Sequence, residues 1–231
     1  MADLCIIPAR GGSKRIPGKN IKPFLGKPII AYSIETAIKS GLFQEVMVST
    51  DDPEIARIAM DYGANVPFMR TERNSDDHAT TIDVLLEVIT SYAAKGVSFD
   101  RLCCLYATAP LASEEDIQKG YHLLKDDGRD AVFPVVPFSY PVWRGISQNA
   151  DGTVNMVWPE HVTTRSQDLA PVYHDAGQWY WFNTESLQEK KTLFTGNTAS
   201  ITLNELGVQD IDTETDWKIA ELKYELLQRT F

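Results

Sequence analysis

The sequence predicts an α/β fold: a mostly parallel sheet flanked by helices, with an inserted β-rich excursion. Short apolar runs of strand length alternate with longer stretches of helical periodicity, the pattern of βαβ crossovers. A glycine-rich, basic loop directly follows the first apolar run, where open α/β sheets carry their ligands. Residues 137–182 break the rhythm with Pro137, Pro141, Pro159 and Pro171 interleaved with Trp143, Trp158, Trp179 and Trp181, and show no helical pattern.

The elements follow in order. Leu4–Pro8 reads as a buried strand and 28–40 as a helix stopped by Gly41. Val46–Ser49 reads as the second strand. Pro53–Tyr62 reads as a helix: Asp51 or Asp52 can cap it, Pro53 suits its first turn and Gly63 ends it. Ile82, Leu85, Leu86, Ile89 and Tyr92 repeat at helical spacing within 81–95, with Gly96 behind. Leu102–Leu105 is a strand. Ser113-Glu-Glu-Asp opens a helix close to a capping box that runs to about Lys125. Ala131–Val136 is a strand, Gln209–Asp212 a short last strand, and 214–229 a final amphipathic helix.

The chain has 231 residues, of which 43% are hydrophobic and 23% charged. That length buries a full core. With no linker or repeat, residues 1–231 read as one domain holding the excursion at 137–182. No apolar run nears the ~18 residues of a membrane span. The first residues lack a basic segment ahead of a long apolar stretch, so the expected location is cytoplasmic. Cys5, Cys103 and Cys104 lie in apolar runs without Cys-x-x-Cys spacing and read as buried strand thiols. The histidines show no metal-ligand spacing.

The net charge of −10 argues against nucleic acid as a partner. Yet between Pro8 and Ile30 stand six basic residues and no acid: Arg10, Lys14, Arg15, Lys19, Lys22 and Lys27. A positive pocket in an acidic protein suits a small polyanion. The stretch Pro8-Ala-Arg-Gly-Gly-Ser-Lys-Arg-Ile-Pro-Gly-Lys-Asn20 lets backbone N–H groups approach phosphate oxygens, because glycine has no Cβ. Arg10, Lys14 and Lys19 add charge-assisted bonds. A P-loop is excluded, since Gly12 and Gly18 are too far apart and Asn20 follows the lysine; the dinucleotide pattern Gly-x-Gly-x-x-Gly is absent.

These residues resemble a known signature. Ile7-Pro-Ala-Arg-Gly-Gly-Ser-Lys-x-Ile-Pro-x-Lys-Asn20 is similar to that of the cytidylyltransferases that make CMP-activated nine-carbon acidic sugars, the CMP-sialic acid synthetase group. The likeness continues through Val48-Ser-Thr-Asp51, Arg70, Asp77-His-Ala-Thr-Thr81, Thr108-Ala-Pro-Leu111 and Asp210-Ile-Asp-Thr-Glu-Thr-Asp216. It implies a Rossmann-like nucleotide-sugar transferase fold. It also implies attack of a sugar's anomeric hydroxyl on the α-phosphate of CTP, releasing pyrophosphate. By this resemblance Arg10, Gly11, Gly12, Ser13, Lys14, Lys19 and Asn20 hold the triphosphate, with Lys19 and Arg10 neutralising charge in the transition state. Arg70, Ala79, Thr80 and Thr81 meet the base and ribose. Asp210 and Asp212, alternating with Ile211, would share one face of the last strand and suit Mg²⁺ together with phosphate. Asp-x-Asp alone is common; its place in the pattern singles this one out.

Where the sialic acid enzymes show Gln-Pro-Thr-Ser-Pro, this chain has Tyr106-Ala-Thr-Ala-Pro110. With Tyr173-His-Asp-Ala-Gly-Gln178, this resembles the pseudaminic acid branch; a sialic or legionaminic acid is the alternative. Expected sugar contacts are Tyr106, Arg165, Gln167, Tyr173 and Gln178. Arg165 pairs either with the sugar carboxylate or with Asp168. The tryptophans of the excursion need a cover, and a second subunit supplies it, so a homodimer is expected, with packing onto the chain's own domain as the alternative. Readings of other classes are a nucleotide-binding regulatory protein without turnover and a glycan-binding module. The second leaves the basic loop without a purpose.

Overall fold

The computed structural model describes residues 2–76 and 79–229. Strand β1 (Asp3–Pro8) sends Cys5 and Ile7 into one apolar core and Leu4 and Ile6 into another, so both faces of the sheet are covered. The basic loop follows, then a ribbon of β2 (Pro23–Phe24) and β3 (Lys27–Pro28), then α1 (Ile29–Ser40), which Gly41 closes at φ +68°. Strand β4 (Glu45–Ser49) leads to α2 (Pro53–Asp61), whose first N–H groups bond to the Asp52 carboxylate. Helix α3 (Thr81–Ala93) starts from a reciprocal capping box of Thr80 and Asp83. Strand β5 (Arg101–Leu105), α4 (Glu114–Asp126, capped by Ser113) and β6 (Ala131–Pro137) complete the part whose order matches the expectation.

Beyond β6 an arm leaves the body, carrying the hairpin of β7 (Ile146–Gln148) and β8 (Val154–Met156). The chain returns on β9 (Tyr173–Asp175) along β6 and breaks at Ala176–Gln178, with Gly177 at φ +64°. It then enters β10 (Trp179–Asn183), antiparallel between β5 and β6. Short helix α5 (Thr184–Lys190), strand β11 (Thr198–Thr202) and α6 (Glu214–Arg229) follow. Among the described residues the sheet has seven strands, ordered β11-β6-β10-β5-β1-β4 with β9 on β6, and all contacts among β1, β4, β5, β6 and β11 are parallel. No described helix is long and apolar enough to cross a membrane. All three cysteines are free and buried.

Two expectations are corrected. Trp179 and Trp181 belong to the central sheet rather than to the excursion. Both are fully buried, and Gly120 of α4 makes room for them: a Cβ there would stand 2.5 Å from the Trp179 ring. A mid-helix glycine costs about 0.5–1 kcal/mol, and the close approach explains it. Trp143 and Trp158 alone ride on the arm, edge to face at 5.5 Å. Second, Gln209–Asp212 is not a strand. The last strand in chain order is β11, at one edge of the sheet, and the Asp212 and Thr213 N–H groups bond to Asp216 in the cap of α6 instead of a sheet neighbour. The alternation nonetheless holds, with Ile211 buried and Asp210 exposed.

Candidate active site

The carboxyl ends of β1, β4 and β5 meet the basic loop around a cavity of about 650 Å³. The loop is anchored beneath by Ile16, buried with Phe24, Ile29 and Trp217. At Gly11 a Cβ would lie 2.6 Å from the Asp52 carboxylate and would displace the residue that caps α2, and the Gly11 N–H donates to Asp51 Oδ1 at 3.1 Å. Gly18 turns the chain at φ +61° ahead of Lys19. Asn20 braces the loop, its Nδ2 donating to the Arg10 carbonyl at 2.9 Å.

Arg10, Ser13, Lys14, Lys19, Asn20, Arg70, Ala79, Thr81 and Tyr106 line this one cavity. Arg70 is only 9% exposed; its Nε donates to Ser49 Oγ at 3.0 Å and its Nη2 to the Ser49 carbonyl. Burial pulls its guanidinium down from its ordinary pKa, partly countered by Asp51 and Glu87, and Arg10 pulls in the same direction as burial. An arginine stays charged through such a shift, so Arg70 is a rigid cation in the wall. Arg10 reaches the Asp76 carbonyl at 3.0 Å, while the Ala79 N–H donates to Asp76 Oδ1 at 2.8 Å. Tyr106 hydroxyl and Thr81 Oγ1 are 3.1 Å apart, and burial pushes the phenol pKa up, keeping it neutral.

Other expected residues lie elsewhere. Gly11, Gly12 and Thr80 do not line the cavity, and the Thr80 side chain serves the α3 cap. Gln178 is 2% exposed and its amide donates to the Gly207 carbonyl at 2.6 Å, so it braces the turn before the Asp-Ile-Asp segment; only its backbone, bonded by the Tyr106 N–H, borders the site. Arg165, Gln167 and Tyr173 are on the arm and its return strand, outside the cavity, and Arg165 holds Asp168 with two hydrogen bonds of 2.7 and 3.1 Å. Asp77 and His78 lie outside the described residues. Asp210 and Asp212 do not line the cavity; Asp212 reaches its rim through two lining cations, 2.5 Å from Arg15 Nη1 and 3.6 Å from Lys19 Nζ, and Asp210 is exposed beside Gly177.

Arg15, Asn74, Asp76 and Thr108 also line the cavity. Arg15 and Thr108 lie inside motifs already quoted. Asn74 sits in a polar turn with no local signal for a site, whereas Asp76 directly precedes the quoted Asp77–Thr81 segment and, paired with Asp77, is the sequence's second choice for a metal ligand. Five cations, Arg10, Lys14, Arg15, Lys19 and Arg70, thus face one concavity, an arrangement that fits a polyphosphate.

A model of the family described as cytidylyltransferase matches residues 4–215. The chain belongs to the cytidylyltransferase family. This cytidylyltransferase is 42% identical over 226 residues to the pseudaminic acid cytidylyltransferase of Campylobacter jejuni subsp. jejuni serotype O:2, covering 98% of this chain and 97% of the relative. It is 35% identical over 236 residues to the CMP-N,N'-diacetyllegionaminic acid synthase of Legionella pneumophila, covering 99% and 98%. Among solved structures, that of CMP:2-keto-3-deoxy-manno-octonic acid synthetase complexed with CTP shares the fold, with a TM-score of 0.70 at 20% identity over 99% of this chain and 100% of that one.

Proposed function

We propose that this cytidylyltransferase transfers CMP from CTP to the anomeric hydroxyl of a nine-carbon nonulosonic acid, pseudaminic acid, releasing pyrophosphate. The observation that carries the reading is the cavity in which five cations converge at the carboxyl end of the sheet. The choice of acid follows the Campylobacter jejuni relative. Arg10, Lys14 and Lys19 bind the triphosphate, and Lys19 and Arg10 oppose the negative charge that grows on the departing pyrophosphate. Arg70, held rigid by Ser49, orients the nucleotide, and Tyr106 with Thr81 offers hydroxyls on the side where the acceptor enters.

The donor set fits Mg²⁺ held jointly with substrate: Asp210 and Asp212 are two hard oxygen ligands turned outward by buried Ile211, and Mg²⁺ keeps several waters and phosphate oxygens in its shell. Among the described residues no third carboxylate, histidine or cysteine joins them in one cluster. When bound, the ion would supply positive charge to the phosphate oxygens. The arm, with Tyr140, Ile146, Val154 and Val162 exposed, supports a homodimer built on its apolar surface, which sedimentation reads directly.

The test is pyrophosphate release from CTP and Mg²⁺ with pseudaminic, legionaminic and sialic acids offered one at a time. Release with pseudaminic acid well above the other two is expected, and CTP should be preferred over UTP. Release with none of the acids would refute the reaction, and release with sialic acid alone would refute the substrate.

A further inference from the structure

Arg15 and Lys19 line the phosphate cavity, yet both point at a carboxylate. Arg15 Nη1 is 2.5 Å from one oxygen of Asp212 and Lys19 Nζ 3.6 Å from the other. The three groups differ in freedom. The Asp212 backbone is fixed: its N–H donates to Asp216 Oδ2 at 3.1 Å, and the residue before it, Ile211, is fully buried. The Arg15 side chain is 69% exposed on a long stem at the mouth of the cavity. An ion pair this exposed is worth at most about 1 kcal/mol, whereas a triphosphate brings several negative charges to the same two cations and would repel a bare carboxylate beside it. The cations therefore gain by changing partner.

We propose that Asp212 competes with the triphosphate for Arg15 and Lys19: the incoming phosphates take both cations and release the carboxylate. The proposal rests on the reading of the cavity as a CTP site. It makes Arg15 a phosphate-binding residue held in reserve.

The test is CTP binding to the whole protein in EDTA, by calorimetry, so that no metal step enters. With its competitor removed, Asp212→Asn should bind CTP about three- to tenfold more tightly, in line with the loss of a weak ion pair and of like-charge repulsion; Asp212→Ala should do the same. Arg15→Gln should bind several-fold more weakly, and in that background the gain from Asp212→Asn should shrink by at least half, since contacting residues couple. Unchanged or weaker binding by Asp212→Asn overturns the proposal while leaving the CTP site intact. A gain of equal size in the Arg15→Gln background also overturns it, because general charge neutralisation then accounts for the effect. No CTP binding by wild type or any variant overturns the CTP site, and the proposal with it.

Discussion

The two ends of the sheet use the same residue types for opposite purposes. At the amino end, Asp3 and Arg101 are 6% and 9% exposed in their side chains and meet through hydrogen bonds of 2.7 and 3.0 Å. Nearby, Asp130 accepts from Ser186, Lys190 and Thr195 at 2.9, 2.6 and 2.6 Å, tying α5 and the turn before β11 to the residue that leads into β6. At the carboxyl end five cations face one cavity, and of the two that pair with Asp212, Arg15 is 69% exposed in its side chain and Lys19 17%. Charge that is matched and buried fixes the fold. Charge that is gathered on one side of an open cavity is arranged for a ligand.

Substitutions at each end should separate stability from turnover. The largest effect is expected for Asp3→Ala, which strands the buried Arg101 guanidinium: unfolding free energy should fall by about 3–5 kcal/mol in urea titration, while pyrophosphate release per folded molecule stays near wild type. A loss below 1 kcal/mol would mean that water reaches Arg101. Next, Lys19→Ala should lower turnover by about 10²–10³ with the urea midpoint little moved, because the ammonium sits in the cavity and not in the core. Turnover within a few-fold of wild type would remove Lys19 from the mechanism.

The smallest of the three belongs to Asp130. Its pKa is lowered to about 2, chiefly by the hydrogen bond from Lys190 and then by that from Thr195. A carboxyl whose pKa is depressed on folding stabilises the native state fully above its unfolded value, near 4, and loses that contribution as pH falls towards about 2. Asp130→Asn should therefore cost about 1–3 kcal/mol at neutral pH, and the gap to wild type should close between pH ~4 and ~2. A gap that is the same at both pH values would show that hydrogen bonding, not charge, is what Asp130 contributes.

Most of the sheet is legible in the sequence because β1, β4, β5 and β6 are buried on both faces and read as unbroken apolar runs, and because Gly41, Asp52 and Ser113 mark helix ends through local chemistry. Trp179–Asn183 is not legible as an inner strand. Its aromatics match those of the arm in kind, and what distinguishes them is a notch at Gly120 in a distant helix. Thr198–Thr202 is short and polar, as an edge strand with only Ala199 and Ile201 packed on the core is free to be. In Gln209–Asp212 the alternation of burial is real, but the hydrogen bonds go to a helix cap, which side-chain pattern alone does not reveal. The basic half of the site is contiguous and therefore visible. The partnership of Arg15 with Asp212, and the commitment of Gln178 to Gly207, join segments far apart in the chain and leave no local trace.

The loop itself carries a last consequence. Several of its amides are already engaged within the protein: Gly11 N–H bonds to Asp51 at 3.1 Å, Ser13 N–H to the Gly11 carbonyl at 3.0 Å and Lys19 N–H to the Ile16 carbonyl at 3.2 Å. Those dipoles cannot cradle a phosphate as the glycines first suggest. Recognition leans instead on ammonium and guanidinium groups, and around those at the open mouth, Arg15 above all at 69% exposed, mobile ions compete with the ligand and screen it within about 8–10 Å at ordinary salt. The grip on the phosphates is thus tuned by ionic strength, firm in dilute buffer and slack in brine, while the buried Arg70 is shielded from that competition.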